Sequence, residues 1–364
     1  MTPGQRRYAR RDDNGGMRIV HVTSFYGKQS EGFSALLRAL GAGYRRAGHE
    51  FVVLSPGTKR STDETDHGTY VTIPVLPFLS QRLSFIPVDN AVRRALAEWA
   101  PDRVEVSDTL TLRRLGQWAN RAGIPAVMVV PGTPSAWILR SAASGALNSF
   151  PGFAVTTEVG TAALRLALGA PASSAPPSTD AVTHLPVGVD LELFTPLRWS
   201  AAVRRSALEG AEVLILAVGE LSTSRSPERA ITALRQLVTR GVRARLVFVG
   251  DGPLRARLER SVEDSPVTFV GRVDDRPAMA VLLASADLTM SLGGTDSASL
   301  ADLESLAAGT PVVAPDADAV EAVLARRVEE RRTDARAVAA QSPWSRTVDT
   351  MLGVHGLTGQ PAAD

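Results

Sequence analysis

The sequence predicts an α/β protein of two doubly wound domains, and three observations carry that expectation. Short runs rich in Val and Ile alternate with longer helical patterns, which is how a parallel sheet covered on both faces reads. The alternation is interrupted once, by the Pro- and Ser-rich stretch GAPASSAPPSTDAVTH (169–184), and then resumes. At 364 residues the chain also exceeds what one ordinary core organises.

The first 16 residues are basic, with no apolar run behind them, and read as a disordered tail rather than a signal peptide. From there MRIVHVTS (17–24) reads as a strand and FSALLRALGAGYRRAG (33–48) as a helix. EFVVLSP (50–56), RVEVS (103–107), PAVMVVP (125–131) and FAVTT (153–157) are further strands. The helical patterns between and after them are VDNAVRRALAEWA (88–100), TLRRLGQWANRAG (111–123) and residues 158–168. Stretch 169–184 reads as a surface loop. After LPVGVDLELFTP (185–196), strands are expected at EVLILAVGE (212–220), RARLVFVGDGP (243–253), VTFVGRV (267–273), LTMSLGG (288–294) and PVVAP (311–315). PERAITALRQLVTRG (227–241) is a helix, and residues 317–340 suit one or two more. The expected organisation is a first domain over 17–190 and a second over 191–342. A C-terminal helix over 343–356 packs back on the first domain, and 357–364 form a tail. Ligands of such sheets bind at carboxyl strand ends, so a small molecule is expected in the cleft between the domains.

Composition narrows the function. With 44% hydrophobic and 21% charged residues the chain is an ordinary soluble protein, expected in the cytoplasm. A net charge of +2 and the absence of a basic-aromatic patch argue against a nucleic-acid partner. Lys28 and Lys59 are the only lysines, a bias that suits GC-rich coding better than phosphate recognition. There is no cysteine, and the five histidines are scattered, so no metal is expected. No run is long enough to span a bilayer.

Three local patterns bear on chemistry. Gly250, Asp251 and Gly252 follow a strand directly, with Pro253 expected in the first helical turn, where exposed amides favour anions. A plain strand-to-helix turn explains the same residues. Arg225 lies near the start of the next helix, where its fork suits a diphosphate and solvent suits it equally. Ser299 and Asp302 form a capping-box pattern that starts a helix at Leu300 and leaves Asp296 in the loop before it. In that helix Leu300, Leu303, Leu306 and Ala307 are the expected buried stripe, with Glu304 on its edge. A carboxylate there needs a partner or a polar ligand.

At this point the pieces resemble a family. MRIVHVTSFYGKQSEGFSALLRALGAGYRRAGHE, APDRVEVSDTLTLRRLGQWANRAGIPAV, LPVGVDLELFTP, SPERAITALRQLVTRGVRARLVFVGDGPLRARLE, VTFVGRV and LESLAAGTPVV resemble the GT-B glycosyltransferases of family 4. The resemblance is strongest to the actinobacterial GDP-mannose-dependent glycolipid α-mannosyltransferases. It implies a GT-B fold, two Rossmann-like doubly wound domains facing across a cleft. It also implies retaining transfer of a hexosyl group, mannosyl above all, from a nucleotide-sugar donor (GDP-mannose or a UDP-sugar). No cofactor or metal is then required, and the acceptor is a lipid or glycan, with a glycolipid reached peripherally at the inner face of the membrane.

The resemblance also assigns residues. The family's Lys after the first strand of the second domain falls on Arg225, and its neighbouring Arg falls on Glu220. The first of the paired donor carboxylates falls on Asp296, one methylene shorter than usual, and the second is retained as Glu304. The amides between them, at Ser299 and Leu300, face phosphate. Gly27 and Gly32 belong to the loop that closes over the donor, with Glu31 where a small residue is usual. The first domain's Ser-His falls on Val130 and Pro131, so the His is missing. The segment after GTPVVAP is shorter than the family's. A carboxylate about 4 Å from a phosphate, at an effective dielectric near 20, repels by roughly 4 kcal/mol where Arg attracts. Two readings therefore stand: a transferase with an altered donor site, or a non-catalytic relative that binds or scaffolds. The paired arginines 45–46, 93–94 and 113–114 suit either anionic lipid or solvated helix faces.

Overall fold

In a computed structural model of the chain, residues 16–23, 31–74, 89–107, 113–169, 181–262, 265–292 and 299–357 are described. Gly27, Asp296 and most of both expected tails lie outside these residues. The chain divides into two compact units, Met1–Val187 with Ser345–Asp364, and Gly188–Trp344.

The first unit runs β1 (Arg18–Val22), α1 (Glu31–Arg46), β2 (Glu50–Gly57), β3 (Ser61–Thr65), β4 (Gly68–Pro74), α2 (Asp89–Trp99) and β5 (Arg103–Val106). It continues through α3 (Arg113–Arg121), β6 (Ala126–Val130), α4 (Ala136–Ala143), β7 (Gly152–Val155), α5 (Glu158–Leu168) and β8 (Val182–His184). Its eight strands are ordered β3-β4-β2-β1-β5-β6-β7-β8. All pairings are parallel except β3 with β4. Strands buried on both faces must be apolar along their length, and Val20, Val52, Val104, Val106, Met128 and Phe153 fill the core accordingly.

This unit departs from the sequence reading in several places, among them helix α4, for which no pattern was assigned. Residues 182–184, expected in the surface loop, form β8 and pair with β7, because Val182 buries its side chain against that core. The β3–β4 hairpin was not anticipated. β3 is the exposed edge, and its sequence STDET carries no apolar residue to mark it.

The second unit runs α6 (Ala201–Leu208), β9 (Val213–Val218), α7 (Glu228–Thr239), β10 (Ala244–Val249), α8 (Arg255–Ser261), β11 (Val267–Gly271) and α9 (Arg276–Ser285). Then follow β12 (Leu288–Ser291), α10 (Leu300–Ala307), β13 (Val312–Val313), α11 (Ala317–Leu324) and α12 (Val328–Ala339). Its all-parallel sheet is ordered β11-β10-β9-β12-β13. The core is built from Ile215, Ala217, Leu246, Phe248, Leu288 and Met290. Residues 317–340 form two helices, α11 and α12, separated at Arg326.

The last helix, α13 (Trp344–Val354), belongs mainly with the first unit. Its Val348 packs on α1 so tightly that a Cβ at Gly43 would stand 2.3 Å from the Val348 side chain. Thr347 Oγ1 donates to the Pro186 carbonyl at 2.6 Å.

Candidate functional site

In the second unit the crossovers reverse between β9 and β12, the first and fourth strands of the sheet in chain order. Open parallel sheets bind ligands outside the carboxyl ends of the strands at such a reversal. Two turns meet beside it. Gly219 and Gly250 leave β9 and β10 with φ of 147° and 142°, in the range that glycine alone adopts at low cost. A Cβ on Gly250 would lie 2.0 Å from the Gly219 carbonyl oxygen, and one on Gly252 would lie 2.5 Å from that of Leu221. Leu221 N donates to Asp251 O at 3.1 Å and Leu254 N to Leu221 O at 2.9 Å, which locks the turns together.

This geometry revises the reading of Gly250, Asp251 and Gly252. Pro253 lies in the turn before α8, which begins only at Arg255 and has seven residues. The amides of Gly250 and Leu254 donate to Gly271 O and Leu221 O, and that of Gly252 to the Asp251 carboxylate at 2.8 Å. The glycines serve the close approach of two strand ends. Glu220 is exposed just past β9. Arg225 is also exposed, in a short 3-10 turn (Thr223–Arg225) just ahead of α7, near the helix start as expected.

The start of α10 is fixed as the sequence indicates. Ser299 Oγ accepts Asp302 N at 3.2 Å, and Asp302 Oδ2 accepts Ser299 N at 2.9 Å. Ser291 Oγ, at the end of β12, also donates to Asp302 Oδ2 at 3.0 Å, so the cap is tied to the sheet. The expected stripe is wrong in detail. Leu303 and Ala307 are buried, but Leu300 and Leu306 are half-buried, and Asp302, Glu304 and Ser305 are buried instead. The polar side chains are accommodated because each has a partner; Ser305 Oγ, for example, bonds Thr289 Oγ1 at 2.7 Å.

Glu304 is 3% exposed. It meets Arg276, the first residue of α9, through a two-pronged pair: Nη1 reaches Oε2 at 3.2 Å and Nη2 bonds Oε1. Charges at this depth are stable only when paired, and the guanidinium fork fits a carboxylate edge on. Asp275 caps α9 by accepting Ala278 N at 3.1 Å, which fixes where Arg276 stands. The guanidinium carbon lies 4.8 Å from the centroid of the Phe194 ring. Arg276 is absent from the residues the sequence nominated. Its partner lies 28 positions away, beyond the reach of any local pattern.

In the first unit, Pro131 is exposed at the end of β6, and the amide of the next residue, Gly132, donates to Thr156 Oγ1 at 2.7 Å. Gly32 is exposed in the first turn of α1. A different polar group occupies the β1–β5 reversal. His21 and Glu105 are register partners across the two strands, and His21 Nδ1 lies 2.6 Å from Glu105 Oε2. Tyr44 OH donates to Oε1 at 2.6 Å, His355 Nε2 reaches the same oxygen at 2.8 Å, and His21 Nε2 meets Ser107 Oγ at 3.1 Å. All of these side chains are buried. Burial pushes the Glu105 carboxyl up, but hydrogen bonds from His21 and His355, and their charges, outweigh it and hold it well below the usual carboxylate range. Burial, then the charge of Glu105, raises the Tyr44 phenol. The histidines are scattered along the sequence, and the fold gathers two of them on one carboxylate.

Among the described residues, no group of three or more His, Cys, Asp or Glu is placed to hold a metal ion, and no helix is long and apolar enough to cross a membrane.

Two Rossmann-like units of this kind define the GT-B class. The fold matches Anabaena HepE, solved with UDP and glucose, at a TM-score of 0.71 and 17% identity, covering 93% of this chain and 99% of that one. It matches α,α-trehalose 6-phosphate synthase from Burkholderia multivorans at 0.70 and 14% identity, covering 93% and 98%. Family models match both units: "Glycosyl transferase 4-like domain" over residues 31–177 and "Glycosyl transferases group 1" over 212–342. A GDP-mannose-dependent alpha-(1-6)-phosphatidylinositol dimannoside mannosyltransferase of Mycobacterium tuberculosis is 34% identical, over 93% of this chain and 96% of that protein. A GDP-mannose-dependent alpha-mannosyltransferase of the same organism is 27% identical, over 83% and 80%. The chain belongs to the family 4 glycosyltransferases.

Proposed function

We propose that the protein transfers mannose, with retention, from GDP-mannose to a phosphatidylinositol-based glycolipid, docking peripherally at the inner face of the membrane. The observation that carries this reading is the near full-length similarity to a mannosyltransferase of that specificity. The buried carboxylate of Glu304 beside the β9–β12 reversal supports it from the structure.

In this reading Glu304 accepts the ribose hydroxyls and Asp296 contacts the sugar. The start of α10, at Ser299 and Leu300, faces the diphosphate with the positive end of the helix dipole. Arg225 adds a guanidinium as charge develops on the leaving group. Donors held in place before the reaction are the main source of catalysis in such a site. Gly250, Asp251 and Gly252 shape its floor, and the loop bearing Gly27 and Gly32 closes over the donor. No metal takes part.

A second reading, a relative that binds without transfer, draws on Glu220 and Pro131, which stand where the family carries Arg and His. Calorimetric titration of GDP-mannose and UDP-glucose, with transfer of labelled mannose to phosphatidylinositol mannosides, separates the two. Micromolar binding of GDP-mannose with transfer is the expected result. No binding by the native chain, with recovery in a Glu220→Arg, Pro131→His variant, overturns the transferase reading.

A further inference from the structure

We infer that Arg276 is a positioning residue of the donor site: it holds Glu304 in the one orientation that lets the carboxylate meet two neighbouring ribose hydroxyls. The inference rests on the donor-site reading of Glu304 and adds a residue to it.

Glu304 lies on α10 and is nearly fully buried, so its carboxylate needs a fixed countercharge to remain there. Arg276 supplies it from α9 with one N–H on each oxygen, and a fork of this kind fixes the plane of the carboxylate as well as its place. A lysine would supply the charge but leave the plane free. Recognition of a vicinal diol depends on that plane, because the two hydroxyls must each find a different oxygen edge.

Arg276 is itself over-determined. It begins α9 behind the Asp275 cap, and its guanidinium lies against the ring of Phe194. Arg336 bonds the Phe194 carbonyl and, through the same Nη1, the carbonyl of Ala307 at the end of α10. The ring that backs Arg276 and the helix that carries Glu304 are thus tied to one group. The Arg276 side chain is 25% exposed, against 4% for that of Glu304, so solvent reaches the pair from the arginine side.

The test is calorimetric binding of GDP and 2′-deoxy-GDP to the full chain and to its Arg276→Gln and Arg276→Lys variants, with thermal melts alongside. The native chain is expected to prefer GDP by about tenfold or more, the size of a hydroxyl bonded to a charged group. Arg276→Gln should weaken GDP roughly 10- to 100-fold and erase the preference, and Arg276→Lys should restore binding more than preference. If the Gln variant does not fold, the Lys variant carries the comparison. Equal weakening of both nucleotides would make Arg276 merely structural. Tighter GDP binding by the variants would mean that Arg276 competes with ribose. Either result, or unchanged binding, overturns the inference and leaves the donor reading standing. Failure of the native chain to bind GDP removes both.

Discussion

Each unit buries a glutamate beside the reversal point of its sheet, and the two are treated in opposite ways. Glu105 is bonded from β1, α1 and the turn after α13, by His21, Tyr44 and His355, with Ser107 behind His21. Glu304 meets the guanidinium of Arg276, whose side chain is 25% exposed. The same residue type is enclosed by polar partners on strand β5 in one unit and paired from helix α10 with a partly exposed arginine in the other. The difference lies in the chemistry and burial of these partners, and it shows that the surrounding side chains decide how a buried glutamate is held.

The comparison breaks most visibly at Glu105. Replacing it by Ala leaves two buried imidazoles and a phenol without their acceptor, and the first unit should lose about 3–5 kcal/mol, read in a denaturant melt. An unaltered melt would mean that the clamp contributes nothing. Glu304→Ala should act on the other quantity. Donor affinity should fall roughly 100-fold by calorimetry, with a smaller loss in the melt than at Glu105, since Arg276 is partly exposed. A large stability loss with unchanged affinity would reverse the assignments.

Smaller changes sharpen it. Tyr44→Phe deletes one hydrogen bond to a charged acceptor and should cost about 1.5–3 kcal/mol in the first unit. The clamp also predicts a pH profile. Glu105 titrates lower in the folded state than its ordinary 4.5, so its contribution is present above that pH and is lost as the solution becomes more acidic. Tyr44 titrates above its ordinary 10.0, so its contribution is present below pH 10 and is lost as pH rises beyond it. First-unit stability should thus hold between these limits and fall outside them, which melts across pH would show. The smallest effect is expected at Glu220→Arg, with donor binding tighter by about tenfold and no change in the melt.

What could be read beforehand follows the range of each interaction. The parallel strands of both sheets announce themselves because burial on two faces forces continuous apolar runs. Ser299 and Asp302 are legible because a capping box closes within four residues. The β3 strand is illegible because an exposed edge asks for no apolar residue, and β8 because three residues carry too little pattern. Arg276 and Glu304, or Glu105 with His21 and His355, are joined only by the tertiary fold, at separations of 28, 84 and 250 residues. Glu304 was singled out because a carboxylate beside an apolar stripe demands an explanation. Arg276, at a polar helix start, demands none.

The return of α13 to the first unit has a consequence for biosynthesis. A ribosome releases all of Gly188–Trp344 before it releases His355, so the second unit is a continuous segment while the first is interrupted by it. Until the final turn emerges, Glu105 lacks one of its donors and the face of α1 around Gly43 lacks its cover. The later-made unit is therefore the one that can close first, against the usual N-to-C order of domain folding. A nascent chain arrested before residue 345 would present chaperones with a finished second unit and an open first one.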